Sequence, residues 1–341
     1  MWLNKLYRRF VGQSATSRCA RTPAPRRPRV RLTLEALEDR TVPSNYSAGN
    51  VPELIAAINA ANQTPEADTI ALVAGRTFTV TEVNNNTSGP TGLPTIAANS
   101  GNLTILGNGD TIERSTAAGT PAFRLFTVPG GASLRLENLT LQGGVAVAAG
   151  GAIYNWGALT LKAVTVQNNI AMGDWRHGGS SRGTSYTILE PALGGGIYST
   201  LGSLTIENSI IRNNQAIGQN AFWDSINTGD AFGGGLYIDG GSATLTAVTL
   251  SSNKAQGGAG YNGGKGGSGF GGGLYAAGGT ITLRNSSVTE NSALGGAKRG
   301  SGLGGGLYIE ADALACLDAF TEAHVKRNRP NNIYGSYTIC S

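Results

Sequence analysis

From residue 150 onward the chain restarts one short phrase five times. The five are Gly150-Gly151-Ala152-Ile153-Tyr154, Gly194-Gly195-Gly196-Ile197-Tyr198, Gly233-Gly234-Gly235-Leu236-Tyr237, Gly271-Gly272-Gly273-Leu274-Tyr275 and Gly304-Gly305-Gly306-Leu307-Tyr308. After each of the first four tyrosines an asparagine follows fifteen or sixteen positions later, at Asn169, Asn214, Asn253 and Asn291. Self-similarity of this kind marks one small unit stacked on copies of itself, because no single unit can bury its own apolar face. The repeat constrains the fold tightly and the chemistry hardly at all.

Within the units, apolar and polar residues alternate with period two. Leu159, Leu161, Leu204, Ile206, Ile281 and Leu283 share one face, and Thr160, Thr205 and Thr282 the other; short alternating runs of this kind are half-buried strands. Each unit is predicted to carry three strands: the Ile-Tyr or Leu-Tyr pair, the Leu-Thr-Leu run, and a third at residues 164–166, 210–211, 248–250 or around Val288. Stacked in parallel at about 4.8 Å per layer, like residues fall over like. Tyr154, Tyr198, Tyr237, Tyr275 and Tyr308 become an aromatic column, and Asn169, Asn214, Asn253 and Asn291 a file of turn residues whose amides can bond to one another. The 52 glycines among 341 residues suit positive φ and close backbone approach at the corners.

These units resemble the right-handed parallel β-helix, and in particular the repeats of polymorphic outer-membrane proteins of the chlamydial type, in which a Gly-Gly-Ala-Ile tetrad precedes an asparagine; Gly150-Gly151-Ala152-Ile153 matches that tetrad. The resemblance covers residues 143–328. It implies an all-β fold, a single right-handed parallel β-helix of about eight coils in the broad pectin-lyase-like class. It does not imply an activity, because that architecture serves lyases, hydrolases, adhesins and passive stalks alike. The chain departs from the outer-membrane family in having no amphipathic strands after the repeats from which to build a membrane barrel, so self-transport is not expected.

Two further regions precede the repeats. Residues 45–142 hold one helical pattern, with Asn50 as cap, Pro52 in the first turn and Val51, Leu54, Ile55, Ile58 and Asn62 at helical spacing. This helix is expected to cover the open end of the stack, followed by three irregular coils at residues 69–83, 93–113 and 123–142. Residues 1–44 are a separate leader, expected to be disordered, in which nine basic side chains from Lys5 to Arg31 meet no acid. From Asn45 onward sixteen Lys and Arg face eighteen Asp and Glu, so the net charge of +5 belongs to the leader and does not mark a nucleic-acid partner. The leader ends in Leu34-Glu35-Ala36-Leu37-Glu38-Asp39-Arg40-Thr41-Val42-Pro43-Ser44, similar to the short N-terminal LEPR-type sorting motif of planctomycete surface proteins, with Asp39-Arg40 in place of Pro-Arg. That resemblance implies export to the cell surface or beyond. No apolar run reaches the length of a membrane span. Cys316 and Cys340 either pair, pinning the C-terminal end, or stand as two thiols.

The segments between each Asn and the next glycine triplet, at residues 170–193, 215–232, 254–270 and 292–303, are the expected place of function. They leave the stack at one corner, and insertions on one face of a repeat protein often form its binding surface. Trp175, Arg176, His177, Trp223, Asp224, Asp230 and Tyr261 are the candidate contacts, since aromatics with interspersed polar groups suit sugar rings; the alternative is that Trp175 and Trp223 pack the loops against the flank. No catalytic residue is assigned. Glycoside hydrolysis needs two carboxylates bracketing the bond, and Asp224 and Asp230 have no aligned partners in neighbouring loops. Calcium-binding glycine repeats need an Asp in each unit, and none lies between Asp239 and Asp312; no metal or cofactor is expected. The preferred reading is a non-catalytic structural, adhesin-like or glycan-contacting module, with a polysaccharide lyase or glycoside hydrolase as the alternative.

Overall fold

The computed structural model describes residues 43–98, 100–179, 185–221, 228–261 and 264–340, without the side chains of residues 176–179 and 185–188. Residues 1–42 of the leader, expected to be disordered, lie outside the described residues, with Cys19 and all of the sorting-like motif except Pro43 and Ser44. Among the described residues strands take up 45% and helices 6%, and nearly all the strands belong to five parallel stacks, an arrangement compatible with a parallel β-helix.

The longest stack has ten strands, running through Asn45–Ala48, Thr69–Leu72, Asn102–Leu106, Ser133–Glu137, Ala158–Lys162, Ser203–Glu207, Ser242–Thr246, Gly279–Arg284, Ala313–Leu317 and Thr338–Ile339. Its register places Ile70, Ile105, Leu136, Leu161, Ile206, Leu245, Leu283 and Leu317 in one file. All eight are buried. Each such side chain contributes roughly 1.5–3 kcal/mol relative to exposure, and a one-residue slip would turn the whole file to solvent. A second stack of eight strands includes Thr165–Gln167, Ile210–Arg212 and Thr249–Ser251. A third, of seven, contains the Ile-Tyr and Leu-Tyr pairs from Phe126–Val128 to Ile333–Tyr334.

Two smaller stacks depart from the three-strand expectation. The segments after each Asn do not leave at once: Ile170–Met172, Gln215–Ile217, Lys254–Gln256 and Ser292–Leu294 form a five-stranded stack with Val145–Val147. They return through Ala192–Leu193, Ala231–Phe232, Gly269–Phe270 and Gly302–Leu303, a stack of four. Among their inward residues Ala192, Ala216, Ala231 and Ala255 make a small core of their own, with Gly269 and Gly302 continuing the register of Ala192 and Ala231. A methyl group is enough where two backbones approach closely, but it leaves no hydrophobic alternation to read.

The corners explain the glycines. The first residue of each triplet is left-handed, at φ +61 to +65, a region that penalises any Cβ. The second permits contact between layers: a Cβ on Gly234 would lie 2.4 Å from the Gly272 carbonyl oxygen. At the N-terminal end the helix Val51–Ala61 lies against the first strands with Leu54, Ala57, Ile58 and Ala61 buried. Asn50 Oδ1 accepts from Glu53 N at 2.9 Å and Glu53 Oε2 accepts from Gly49 N at 2.8 Å, a reciprocal cap. Asn62 lies just past the helix and instead ties it to the irregular coil, donating to Thr95 O and accepting from Ala97 N. At the other end a short helix, Ala319–His324, follows the repeats, and Cys316 and Cys340 form a disulfide.

Candidate functional site

Two files of like residues run along the stack. The amides of Asn169, Asn214, Asn253 and Asn291 are buried and chained: Asn169 Nδ2 donates to Asn214 Oδ1 (2.9 Å), Asn214 to Asn253 (3.0 Å), Asn253 to Asn291 (3.0 Å), and the chain continues to Asn328 (3.0 Å) and the exposed Asn332 (3.2 Å). Each Oδ1 also takes the backbone N–H of the preceding Asn, as in Asn214 N to Asn253 Oδ1 at 3.0 Å. The tyrosines stack face to face from Tyr154 through Tyr198, Tyr237, Tyr275 and Tyr308 to Tyr334, with centroids 4.8 to 5.2 Å apart. Phe232 and Phe270 stack beside them at 5.0 Å. Burial and neighbouring phenols push the Tyr198 hydroxyl up to about 12; Tyr275 is raised by burial and by its 2.5 Å hydrogen bond to Glu310.

Of the loop residues singled out from the sequence, the side chains of Trp175, Asp230 and Tyr261 are described. Trp175 lies in an antiparallel hairpin, Asp174–Gly179 with Ser185–Glu190, opposite Leu189. With the Gln219 amide oriented to satisfy both neighbours, Gln219 accepts from Trp175 Nε1 (2.9 Å) and donates to Gly173 O (3.1 Å), tying the first loop to the second. Arg176 and His177 pair through their backbones with Ile188 and Thr187; their side chains, and Trp223 and Asp224 entirely, lie outside the described residues. Asp230 Oδ1 accepts from Ser268 N at 2.6 Å and so pins the second loop to the third. Tyr261 is exposed. The loops do lie side by side, joined by backbone bonds from Gly258 to Gly229 and from Gly296 to Gly267. His324 is bonded through Nδ1 to Phe320 O and stacked on the Phe320 ring.

A concave site forms instead where the tyrosine column begins. A cavity of about 570 Å³ is lined by Tyr154, Trp156 and Tyr198, by Val147, Pro191 and Leu193, and by Arg124, Glu190 and the Ser88–Pro90 turn. Tyr154 is stacked on Tyr198 on one side, and the Arg124 guanidinium carbon lies 4.9 Å from its ring centroid. Trp156 meets Tyr154 edge to face, 5.0 Å between centroids. Arg124 is 3% exposed. Its Nη1 donates to Ser88 O and its Nη2 to Ala149 O at 3.1 Å, while its Nε has no hydrogen-bond partner. Among the described residues it makes no ion pair. Burial accordingly lowers its pKa to about 10. A larger hollow of about 680 Å³ at the far end of the asparagine file is lined only by Glu290, Ser292, Arg327, Arg329 and the ladder amides, so it offers no ring to a ligand.

Sequence reasoning missed Arg124 and Glu190. The available signal was a charge inside the apolar run Phe123-Arg124-Leu125-Phe126, and an indole, Trp156, just after the Tyr of one unit only. One coil on, the same corner holds Leu201, left-handed at φ +54 and 81% exposed. Among the described residues no three His, Cys, Asp or Glu side chains are grouped to hold a metal, and no described helix is long and apolar enough to cross a membrane. No protein-family model, curated protein or solved structure matches the chain.

Proposed function

We propose that the chain is an exported protein whose body is a single right-handed parallel β-helix of about eight coils, acting at the cell surface or outside the cell as a non-catalytic module that contacts glycans. The observation that carries the reading is the aromatic cavity at Trp156 and the head of the tyrosine column. Rings with polar neighbours, held on a stack whose register fixes them, suit a sugar better than a flat protein partner, since pockets of this size take small ligands. The basic leader and its sorting-like motif support export, and the ten-stranded parallel stack supports the single helix. The test is affinity electrophoresis of the full chain in gels containing neutral or acidic polysaccharides. Retardation by at least one of them, reduced by Trp156→Ala, is expected; unchanged mobility in all of them overturns the glycan reading. Fractionating cells that express the chain with and without residues 1–44 tests export, and equal distribution of the two forms overturns it.

A further inference from the structure

The cavity beside Tyr154 holds a cation whose charge is incompletely matched. A guanidinium has five N–H donors; two of those of Arg124 reach carbonyls, and Nε reaches nothing. A buried charge without a counter-charge is costly. The Tyr154 π face and two carbonyl dipoles offset part of that cost but supply no ion pair. The neighbouring lining says what would complete it. Both faces of Tyr154 are taken, by Tyr198 and by Arg124, so the Trp156 indole and the aliphatic Val147 and Leu193 are the surfaces left for the body of a ligand. A bare inorganic anion would leave them uncovered. Glu190 lines the same cavity, and a carboxylate in the wall disfavours a dianion.

We propose that this cavity binds a ring-bearing monocarboxylate, with the carboxylate on the free N–H groups of Arg124 and the ring against Trp156. A carboxylate matches the guanidinium fork through two parallel hydrogen bonds. The ring can come from a sugar acid or from an aryl acid. Only the sugar acid rests on the glycan reading, and the experiment separates the two.

The test is isothermal titration of the full chain with a glucuronate-terminated disaccharide, the neutral disaccharide of the same linkage, and 4-hydroxyphenylacetate. At least one carboxylate is expected to bind, with the neutral sugar about tenfold or more weaker, the scale of one charge-assisted hydrogen bond. Trp156→Ala should weaken the carboxylate by a similar factor. Arg124→Gln should abolish the preference for acid over neutral; because it disturbs a buried contact, its fold is checked by circular dichroism. Glu190→Gln provides an independent measure, since removing the wall's negative charge should tighten carboxylate binding several-fold. Neutral and acidic sugars binding alike, with no effect of Glu190→Gln, would overturn the charge assignment and leave the glycan reading standing. Binding of the aryl acid alone would do the reverse. No heat with any of the three at millimolar concentration would overturn both.

Discussion

Asn253 shows how much one side chain can do in a stack. Its Oδ1 accepts from both the N and the Nδ2 of Asn214, and its Nδ2 donates to Ile211 O (2.9 Å) and Asn291 Oδ1. Asn253→Ala would strand buried donors and acceptors on three neighbours, each worth roughly 1–3 kcal/mol when unpaired. A loss of about 3 kcal/mol or more is expected in urea unfolding, while a substitution at the solvent-facing Thr244 of the long sheet should stay within about 0.5 kcal/mol. The corners make the opposite prediction. Ala163 and Ala247 are left-handed, both at φ +54, where a Cβ is a burden and glycine is free. Ala163→Gly and Ala247→Gly should each raise the unfolding midpoint, by about 0.5–1 kcal/mol in free energy; a fall would show that the corner is less strained than its backbone angle indicates. Four of the ladder asparagines are legible from spacing alone. Asn328 and Asn332 are not, because the chain closes over Ala319–His324 before reaching them and the period breaks.

At the scale of the element, the tyrosine column sets an alkaline limit. Burial, then neighbouring phenols, raise Tyr198 to about 12, and burial raises Tyr237, Tyr275 and Tyr308 as well. A phenol whose folded pKa lies above its unfolded value of about 10 stabilises the fold fully below pH 10 and loses that contribution as pH rises through the folded value. Arg124 acts oppositely: its lowered folded pKa relieves its burial cost above about pH 10. Among the described residues five tyrosines are raised, Tyr337 being the fifth, against two lowered arginines, Arg114 and Arg124, so stability should fall from pH 10 to 12. Thermal unfolding across that interval, read with tyrosinate absorbance, checks it; a midpoint that rises with pH would mean that the column is solvated. The strands that follow each Asn were invisible to hydrophobic alternation for a physical reason. Their inward positions, Ala171, Ala216, Ala255 and Ala293, are all buried, but alanine is common on every kind of surface. Among the described residues the hairpin Asp174–Gly179 with Ser185–Glu190 has no counterpart in another insertion.

For the whole molecule, the two ends of the stack are secured differently. The N-terminal end is covered by an amphipathic helix with a reciprocal cap; the C-terminal strand Thr338–Ile339 is exposed and is tied back by the Cys316–Cys340 disulfide across 24 residues. Closing a loop of that length is worth about 3 kcal/mol in the chain-entropy account. Cys316→Ser should therefore speed amide exchange in Thr338–Ile339 and Ala313–Leu317 before it affects the central coils, and uniform loosening would argue that the stack unfolds as one unit. The parallel, sheet-rich stack follows from the repeat itself, since identical units with one apolar face have no other way to bury it than against copies. The cavity does not follow from it. Arg124, Trp156, Tyr198 and Glu190 come from an irregular coil, two successive repeats and the return of an insertion, and share no spacing. Periodicity is a local property that a sequence displays directly, whereas a pocket is made where the period fails and distant segments happen to converge, and only the folded chain brings them there.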